Sequence, residues 1–158
     1  MEYKYQVASP THLNELFTFA HDLFIAGEPS PEKTIALWHA RWRKESLEHY
    51  LHSGWSFIGR EASDTEDGGK ISGFFLAQPM LHVRGYTQTL WIETIQAANE
   101  YVSRELFDIA VRIAREKHLQ RVWYSTDNSE KVYSENAALK WAAIELAGPF
   151  IEIRTTKG

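Results

Sequence analysis

Cysteine is absent from this chain of 158 residues, which excludes disulfide bonds, thiol catalysis and zinc sites built on cysteine. No stretch approaches the ~20 consecutive apolar residues of a membrane-spanning helix. The first residues, Met1-Glu2-Tyr3-Lys4-Tyr5, lack the basic start and apolar run of a secretion signal. We therefore expect a cytoplasmic protein that has no membrane partner.

Basic residues are too few for a general nucleic-acid binder. The chain has 17 Lys and Arg against 21 Asp and Glu, a net charge of −4. Binding to nucleic acid needs a dominant basic surface that releases counterions, so we expect no nucleic-acid partner. The sequence also lacks the Gly-x-Ser-x-Gly motif of hydrolases and the phosphate-binding loop of nucleotide triphosphatases. Aromatic residues, in contrast, are abundant enough to line a cleft or an interface as well as a core.

The spacing of apolar residues divides the chain into the strands and helices of a single domain, residues 1–158. Alternation predicts strands at residues 3–7, 55–62, 70–78, 89–96, 121–125 and 150–155. Helical spacing and capping signals predict helices at residues 10–26, 31–52, 100–117 and about 130–143. Gly73, inside the third strand, indicates a bulge or a close backbone approach.

The order of these elements predicts an α+β fold, that is, a three-layer α/β arrangement. Three consecutive strands with short connections favour an antiparallel meander. The strand–helix–strand unit from 89 to 125 has a crossover long enough to make its two strands parallel. We therefore expect a mixed, mostly antiparallel sheet with helices on both faces.

The junction of the fourth strand with the helix after it is the most informative part of the sequence. Simple alternation places Leu90, Ile92 and Thr94 on one face of the strand, and Trp91, Glu93 and Ile95 on the other. A carboxyl group between two large apolar side chains is partly desolvated, which suits a general base. Free backbone N–H groups at the start of the following helix form a natural anion site. The segment thus favours base-catalysed chemistry on a substrate that bears phosphate.

The element order, with a hairpin leading into this crossover, resembles the GNAT acyltransferase superfamily over nearly the whole chain. The resemblance implies a GNAT-like acyl-CoA N-acyltransferase fold in which the central strand and the next parallel strand splay apart. It also implies that acetyl-CoA, the acyl donor, enters this gap with its pyrophosphate at the start of the crossover helix. An acid on the central strand and a tyrosine on a later helix then serve as base and acid.

Carried over by position, the resemblance implies a set of site residues. Glu93 would be the catalytic base and Tyr133 the acid. The acyl-donor site would comprise backbone of the central strand, the loop and first helical turn after it, and a later asparagine: Ile95, Gln96, Ala97, Asn99, Tyr101, Val102, Ser103, Arg104 and Asn128. The other substrate would be an amine, on a small molecule or a peptide, bound between the first two helices and the 79–88 connection.

The sequence departs from the superfamily at the phosphate loop. Asn99, Tyr101 and Ser103 stand where glycines are expected, and Glu100 adds a negative charge. Glycine lets a phosphate approach the backbone closely, so we expect Tyr101 to crowd that approach unless its ring turns away. The predicted sheet is also short by one strand, and an open edge could be completed by a second subunit, giving a homodimer.

Each candidate residue also has a simpler structural interpretation. Glu93 could pair with an arginine such as Arg84, Asn99 could be an ordinary N-cap, and Tyr133 could simply pack. The segment Arg41-Trp42-Arg43-Lys44 could touch a phosphate or an acidic partner, or be a solvated helix face with Trp42 packed inward. The set of Glu45, His49 and His52 has helical spacing that could hold a metal, although solvated histidines are the commoner case, and we expect no metal cofactor.

Two functions from different classes follow. The first is an acyl-CoA-dependent N-acyltransferase, and Glu93 on an otherwise apolar strand face favours it. The second is a non-catalytic GNAT-like binding or dimerisation module that has lost cofactor binding, and the missing glycines favour it.

Overall fold

A computed structural model describes residues 1–26, 30–66, 68–80, 88–125, 144–145 and 150–155, except for the side chains of residues 144, 145 and 150. After strand β1 (Tyr3–Val7) and a short 3₁₀ turn (Pro10–His12), the helices are α1 (Leu13–Ile25), α2 (Pro31–Trp38), α3 (Lys44–Leu51) and α4 (Glu100–Glu116). The other strands are β2 (Phe57–Glu61), β3 (Ile71–Met80), β4 (Thr89–Ala97), β5 (Arg121–Ser125), β6 (Ile144–Glu145) and β7 (Phe150–Arg154). None of the helices in these ranges has the length and apolar character needed to span a bilayer.

The strands form one mixed sheet in the order β1-β2-β3-β4-β5-β7-β6. Strands β4 and β5, joined by α4, are parallel, and the other described pairs are antiparallel. This confirms the α+β fold class and the predicted crossover. The two-residue strand β6 was not predicted, and it pairs with β7 at the end of the sheet.

Two hydrophobic cores lie on opposite faces of the sheet and give the three layers. On one face α4 packs its buried side against the sheet through Val102, Leu106 and Ala110. On the other face α1 and α3 contribute Leu16, Ala20 and Leu47 to a second core. Both cores are apolar and fully buried, so each holds its helices against the sheet by the hydrophobic effect.

The single helix predicted at 31–52 is wrong, because residues 39–43 form a turn between α2 and α3. The break allows Trp42 to turn into the core, where its ring lies 5.8 Å from the rings of both Phe17 and Phe24. The Arg43 guanidinium donates a 2.8 Å hydrogen bond to the Trp38 carbonyl at the end of α2. Tertiary packing of one aromatic residue therefore overrides the local helical pattern.

Gly73 lies where β3 and β4 meet the start of α4, and the structure confirms the close approach predicted there. A Cβ at this position would lie 2.8 Å from the Gln96 carbonyl oxygen and 2.9 Å from side-chain atoms of Val102 and Leu106. Glycine thus lets α4 pack closely onto the sheet, which sets the position of the helix N-terminus.

Replacing Gly73 by alanine is expected to lower the free energy of unfolding by about 1–3 kcal/mol, because a backbone carbonyl cannot move aside easily. Urea denaturation measures the loss. Gly59, the cross-strand partner of Gly73, provides a comparison, since its added Cβ would clash with the Tyr5 side chain at 2.6 Å but would lie 3.7 Å from the nearest backbone atom, the Gly73 carbonyl oxygen. Equal losses in the two variants would contradict the tight packing proposed for α4.

Candidate active site

Strand β4 carries a β-bulge at Glu93. Thr94 pairs with Leu76 of β3 and Ile92 pairs with Ala77, so Glu93 is the extra residue between two ladder pairs. The bulge changes the alternation of faces beyond this point. Ile95 joins the α4-side core with Ile92, whereas Thr94 lies opposite Leu76 of the other core.

The face assignment predicted from simple alternation is therefore wrong for Thr94 and Ile95. A period of two cannot reveal an inserted residue, because a bulge shifts every later side chain to the other face. Glu93 itself lies on the face of the sheet covered by α3, as its contacts show. The bulge thus directs a carboxylate out of the regular ladder, as bulges beside active sites often do.

Among the described residues, three donors converge on the Glu93 carboxylate. The Tyr50 hydroxyl and the Trp91 indole N–H donate to Oε2 at 2.8 and 2.7 Å. The Arg41 Nη1 atom lies 3.2 Å from Oε1 and forms an ion pair with it. The Glu93 side chain is 17% exposed, so the carboxylate is held in place yet remains accessible.

Tyr50 acts as a permanent hydrogen-bond donor in this arrangement. Burial in α3, together with its hydrogen bond to the Glu93 carboxylate, raises the pKa of Tyr50 well above its ordinary value. Its hydroxyl therefore keeps its proton at neutral pH and donates to Oε2.

The arginine beside Glu93 is Arg41, from the turn between α2 and α3. Arg84, named as an example from the sequence, lies outside the described residues. In the segment Arg41-Trp42-Arg43-Lys44, Trp42 is packed inward, as one interpretation predicted, and Arg41 faces the Glu93 carboxylate of the same chain. Contact of the segment with a phosphate or an acidic partner stays a prediction. Sequence reasoning missed Tyr50 altogether, since no local pattern links residues 43 positions apart.

Among the described residues, the pairing of β4 with β5 reaches as far as Ile92 and Tyr124, next to Glu93. The parallel ladder joins residues 89–92 to residues 121–124, and β4 then continues to Ala97 along β3. This is the place where the two strands were expected to part. Gln96 and Ala97 are half-buried along this extension, whereas Ile95 is buried in the core.

The start of α4 is an ordinary capped helix. The Asn99 side chain accepts a 3.0 Å hydrogen bond from the Val102 N–H, so the N-cap interpretation is confirmed. Glu100 and Arg104 form an ion pair one turn apart. The side chains of Val102 and Ser103 are buried, so only their backbone could face a ligand.

The ring of Tyr101 does not point towards β5. It lies 5.8 Å from the ring of Tyr3 on β1, at the opposite side of the sheet from β5, and is 59% exposed. The crowding that this residue suggested at the sequence level is therefore absent from the β5 side of the α4 N-terminus. Asn128 and Tyr133 lie outside the described residues.

The side chains of Glu45, His49 and His52 are not arranged as a set of metal ligands. Nε2 of His49 lies 2.7 Å from Oε1 of Gln78, on the same sheet face as Trp91. Across the described ranges of the chain, no group of three or more His, Asp or Glu side chains is arranged to hold a metal ion.

No protein-family model matches this chain, and no curated protein sequence matches it. Its fold, however, is similar to many solved structures. An N-acetyltransferase, PaiA, from Thermoplasma acidophilum, in complex with coenzyme A, superposes with a TM-score of 0.67 at 15% identity, over 98% of this chain and 99% of that one.

Two further structures are similar over nearly their full lengths. A GNAT-family acetyltransferase from Listeria monocytogenes has a TM-score of 0.65 at 13% identity, covering 98% of this chain and 94% of its own. The ribosomal-protein-S18-alanine N-acetyltransferase from Escherichia coli has a TM-score of 0.61 at 14% identity, covering 99% and 96%. Together with the sheet order and the β4–α4–β5 crossover, these likenesses show that the chain has the fold of the GNAT N-acetyltransferases.

Proposed function

We propose that this protein is an acyl-CoA-dependent N-acyltransferase that transfers an acetyl group to the amine of a small molecule or peptide. The observation that carries the proposal is the Glu93 carboxylate, placed by a bulge on β4 beside the last described β4–β5 pair, Ile92 with Tyr124. Tyr50, Trp91 and Arg41 hold this carboxylate in one orientation. Packing of a hydrophobic core does not require an oriented carboxylate, so the arrangement favours a functional role.

The acyl donor fits this end of the sheet in part. Backbone of residues 95–97 would lie along its arm, and the first turn of α4, from Asn99 to Arg104, would face its diphosphate. Glu100 is an unfavourable charge at that place, but its ion pair with Arg104 offsets it. The Tyr101 ring is turned towards Tyr3 and so does not itself cover the β5 side of the turn. We propose the same donor-binding role for Asn128.

Glu93 would take the proton of the acceptor amine. When bound, acetyl-CoA supplies a thioester whose carbon–sulfur bond breaks as the acceptor nitrogen bonds to the carbonyl carbon. The amine proton passes to Glu93, and the departing sulfur takes a proton, for which we propose Tyr133 as the source. Tyr50 and Trp91 orient the carboxylate, because both donate to Oε2.

The alternative is a GNAT-like module for binding or dimerisation that has lost the acyl donor. The start of α4 favours this alternative for two reasons. The Val102 N–H already donates to the Asn99 side chain, and no glycine lies between Asn99 and Arg104. Such a module would bind a protein partner or a second copy and would not respond to coenzyme A.

A thermal shift experiment separates the two functions. Acetyl-CoA at about 100 times its dissociation constant is expected to stabilise the fold by about 2.7 kcal/mol, because it binds only the folded state. The rise in melting temperature is measured by differential scanning fluorimetry, with ATP as a control for nonspecific binding of an adenine nucleotide. Absence of a shift with acetyl-, propionyl- and longer acyl-CoA would rule out the transferase and leave the module.

A further inference from the structure

Strand β1 lies at one end of the strand order in the described part of the sheet. Two hydrogen bonds at the ends of its ladder with β2 show which of its backbone groups face inward. The Ala8 N–H donates to the Ser56 carbonyl, and the Ala62 N–H donates to the Glu2 carbonyl. Because hydrogen-bonded pairs alternate along an antiparallel ladder, the even-numbered residues of β1 bond to β2.

The odd-numbered residues of β1 therefore present their backbone to the outside. The N–H and C=O groups of Tyr3, Tyr5 and Val7 point away from β2, and no described strand pairs with them. A cleft of about 510 Å³ lies beside Lys4, Tyr5 and Gln6, so there is space along the strand. An edge with unpaired backbone groups is a template for another strand.

A second copy of β1, running antiparallel, pairs with every one of these groups. Tyr5 then lies opposite Tyr5 of the second copy, and Tyr3 lies opposite Val7, all as hydrogen-bonded pairs. A shift of the register by two residues leaves outward groups unpaired. In one direction this shift also places Lys4 opposite Lys4 of the second copy, where like charges repel. The strand is thus self-complementary in one register, the one centred on Tyr5.

The side chains agree with this register on both faces of the sheet. Tyr3 and Tyr5 pack towards the α4-side core, and Val7, on the same face by alternation, is 48% exposed. Tyr3 of the second copy would cover Val7, and an aromatic residue opposite a β-branched one is a favourable cross-strand pair. On the other face exposed Lys4 lies opposite exposed Gln6, so no like charges meet.

We propose that the protein forms a two-fold symmetric homodimer in which β1 pairs with β1 of a second copy around Tyr5 and joins the two sheets into one. Symmetric pairing of the same surface closes the assembly at two copies. The inference is independent of the catalytic proposal, because a transferase and a binding module could both assemble in this way. Two strands of five residues make a small contact, so the dimer is expected to depend on protein concentration.

The assembly is tested first on the wild-type protein. Sedimentation velocity over a series of concentrations should show a monomer in equilibrium with a dimer and give its dissociation constant. Amide hydrogen exchange followed by NMR then locates the contact. The amides of Tyr3, Tyr5 and Val7 should exchange more slowly as the dimer forms, whereas those of Lys4 and Gln6, which bond to β2, should be protected at every concentration.

Charge substitutions test the register. Gln6→Lys places a second lysine opposite Lys4 at two symmetric positions and should raise the dissociation constant by about 2- to 30-fold. The double variant Lys4→Glu/Gln6→Lys makes these pairs oppositely charged and should dimerise at least as tightly as the wild type. Gln120→Lys is the matched control, because it adds the same charge at an exposed glutamine just before β5, away from β1. This control should keep the wild-type constant.

A proline substitution tests the backbone contribution. Val7→Pro removes an outward N–H that β2 does not use, and proline is tolerated at such edge positions. It should weaken the dimer by about 10- to 100-fold, since each copy loses one hydrogen-bond donor. Val7→Ala keeps the N–H and loses only side-chain contact, so it should weaken the dimer less. Should Val7→Pro fail to fold, the charge variants still decide the question.

Three results would overturn the proposal. A wild-type protein that stays monomeric at all concentrations would leave β1 without a second copy. A dimer that is unchanged in Gln6→Lys would assign the contact to another surface. A dimer in which the amides of Tyr3, Tyr5 and Val7 gain no protection would do the same. None of these results bears on binding of acetyl-CoA, so the proposed function is tested separately.

Discussion

Replacing Glu93 by glutamine is expected to lower turnover by about 10²- to 10⁴-fold, the usual contribution of a general base. Affinity for acetyl-CoA should change little, because no described contact of Glu93 reaches the first turn of α4. Steady-state rates of thiol release measure the first effect, and calorimetric titration with coenzyme A measures the second.

The local geometry defines what this substitution changes. A glutamine oxygen at the position of Oε2 can still accept from Tyr50 and Trp91, so the side chain keeps its orientation. The amide nitrogen then faces Arg41, where a donor replaces an acceptor. The variant therefore loses the proton acceptor and the ion pair, while the buried hydrogen bonds remain.

Two companion variants separate catalysis from structure. Tyr50→Phe removes one donor to Oε2 and leaves the carboxylate, so it should reduce turnover less than Glu93→Gln does. Glu93→Asp keeps the charge but shortens the side chain and should give an intermediate rate. If Glu93→Gln weakened coenzyme A binding as much as turnover, Glu93 would be a structural clamp between α3 and the sheet.

Most of the fold could be predicted because its main signals are local. The strands at 3–7, 89–96 and 121–125 follow from alternation, and α4 follows from its N-cap and helical apolar spacing. The break between α2 and α3 could not be predicted, since its cause is the packing of Trp42 against α1. The short β6 could not either, because two residues carry no periodic pattern.

Of the contacts that make up the candidate site, the sequence could indicate only the central residue, Glu93. Glu93 could be found because a carboxylate among apolar strand residues is unusual, but its bulge depends on the pairing with β3. Arg41 and Tyr50 reach it from segments 52 and 43 residues earlier, and only the tertiary structure brings them together. Because Tyr101 stands where glycine is expected, the sequence suggested that its ring crowds the phosphate loop. In the structure the ring packs against Tyr3, and no local sequence pattern indicates that contact.

A second carboxylate, Glu152 on β7, is held in a similar way but lies deeper. It is 5% exposed, accepts a 3.0 Å hydrogen bond from the Trp123 indole and lies 3.1 Å from Nε of Arg121. Trp91, Trp123 and Glu152 are cross-strand partners in one row over β4, β5 and β7. The row therefore runs from β4, the strand that carries Glu93, across β5 to β7.

Replacing Glu152 by alanine is expected to lower the free energy of unfolding by about 3–5 kcal/mol, because it removes one partner of the largely buried Arg121–Glu152 ion pair. Domains of this kind are stable by about 5–15 kcal/mol in total, so the loss is large. Chemical denaturation followed by tryptophan fluorescence measures it. Arg154→Ala is the control, since the Arg154 side chain is 53% exposed and its contact with Glu152 should contribute at most about 1 kcal/mol.

The double variant Glu152→Met/Arg121→Met tests whether burial of the charge is the cause. Removing both partners takes both charges of the pair out of the interior and fills the space with apolar atoms, so most of the lost stability should return. A double variant as unstable as Glu152→Ala would instead assign the loss to the Trp123 hydrogen bond and to packing. Since Trp91 lies beside Trp123 in this row and donates to Glu93, Glu152→Ala should also lower turnover, and the double variant should restore it together with stability.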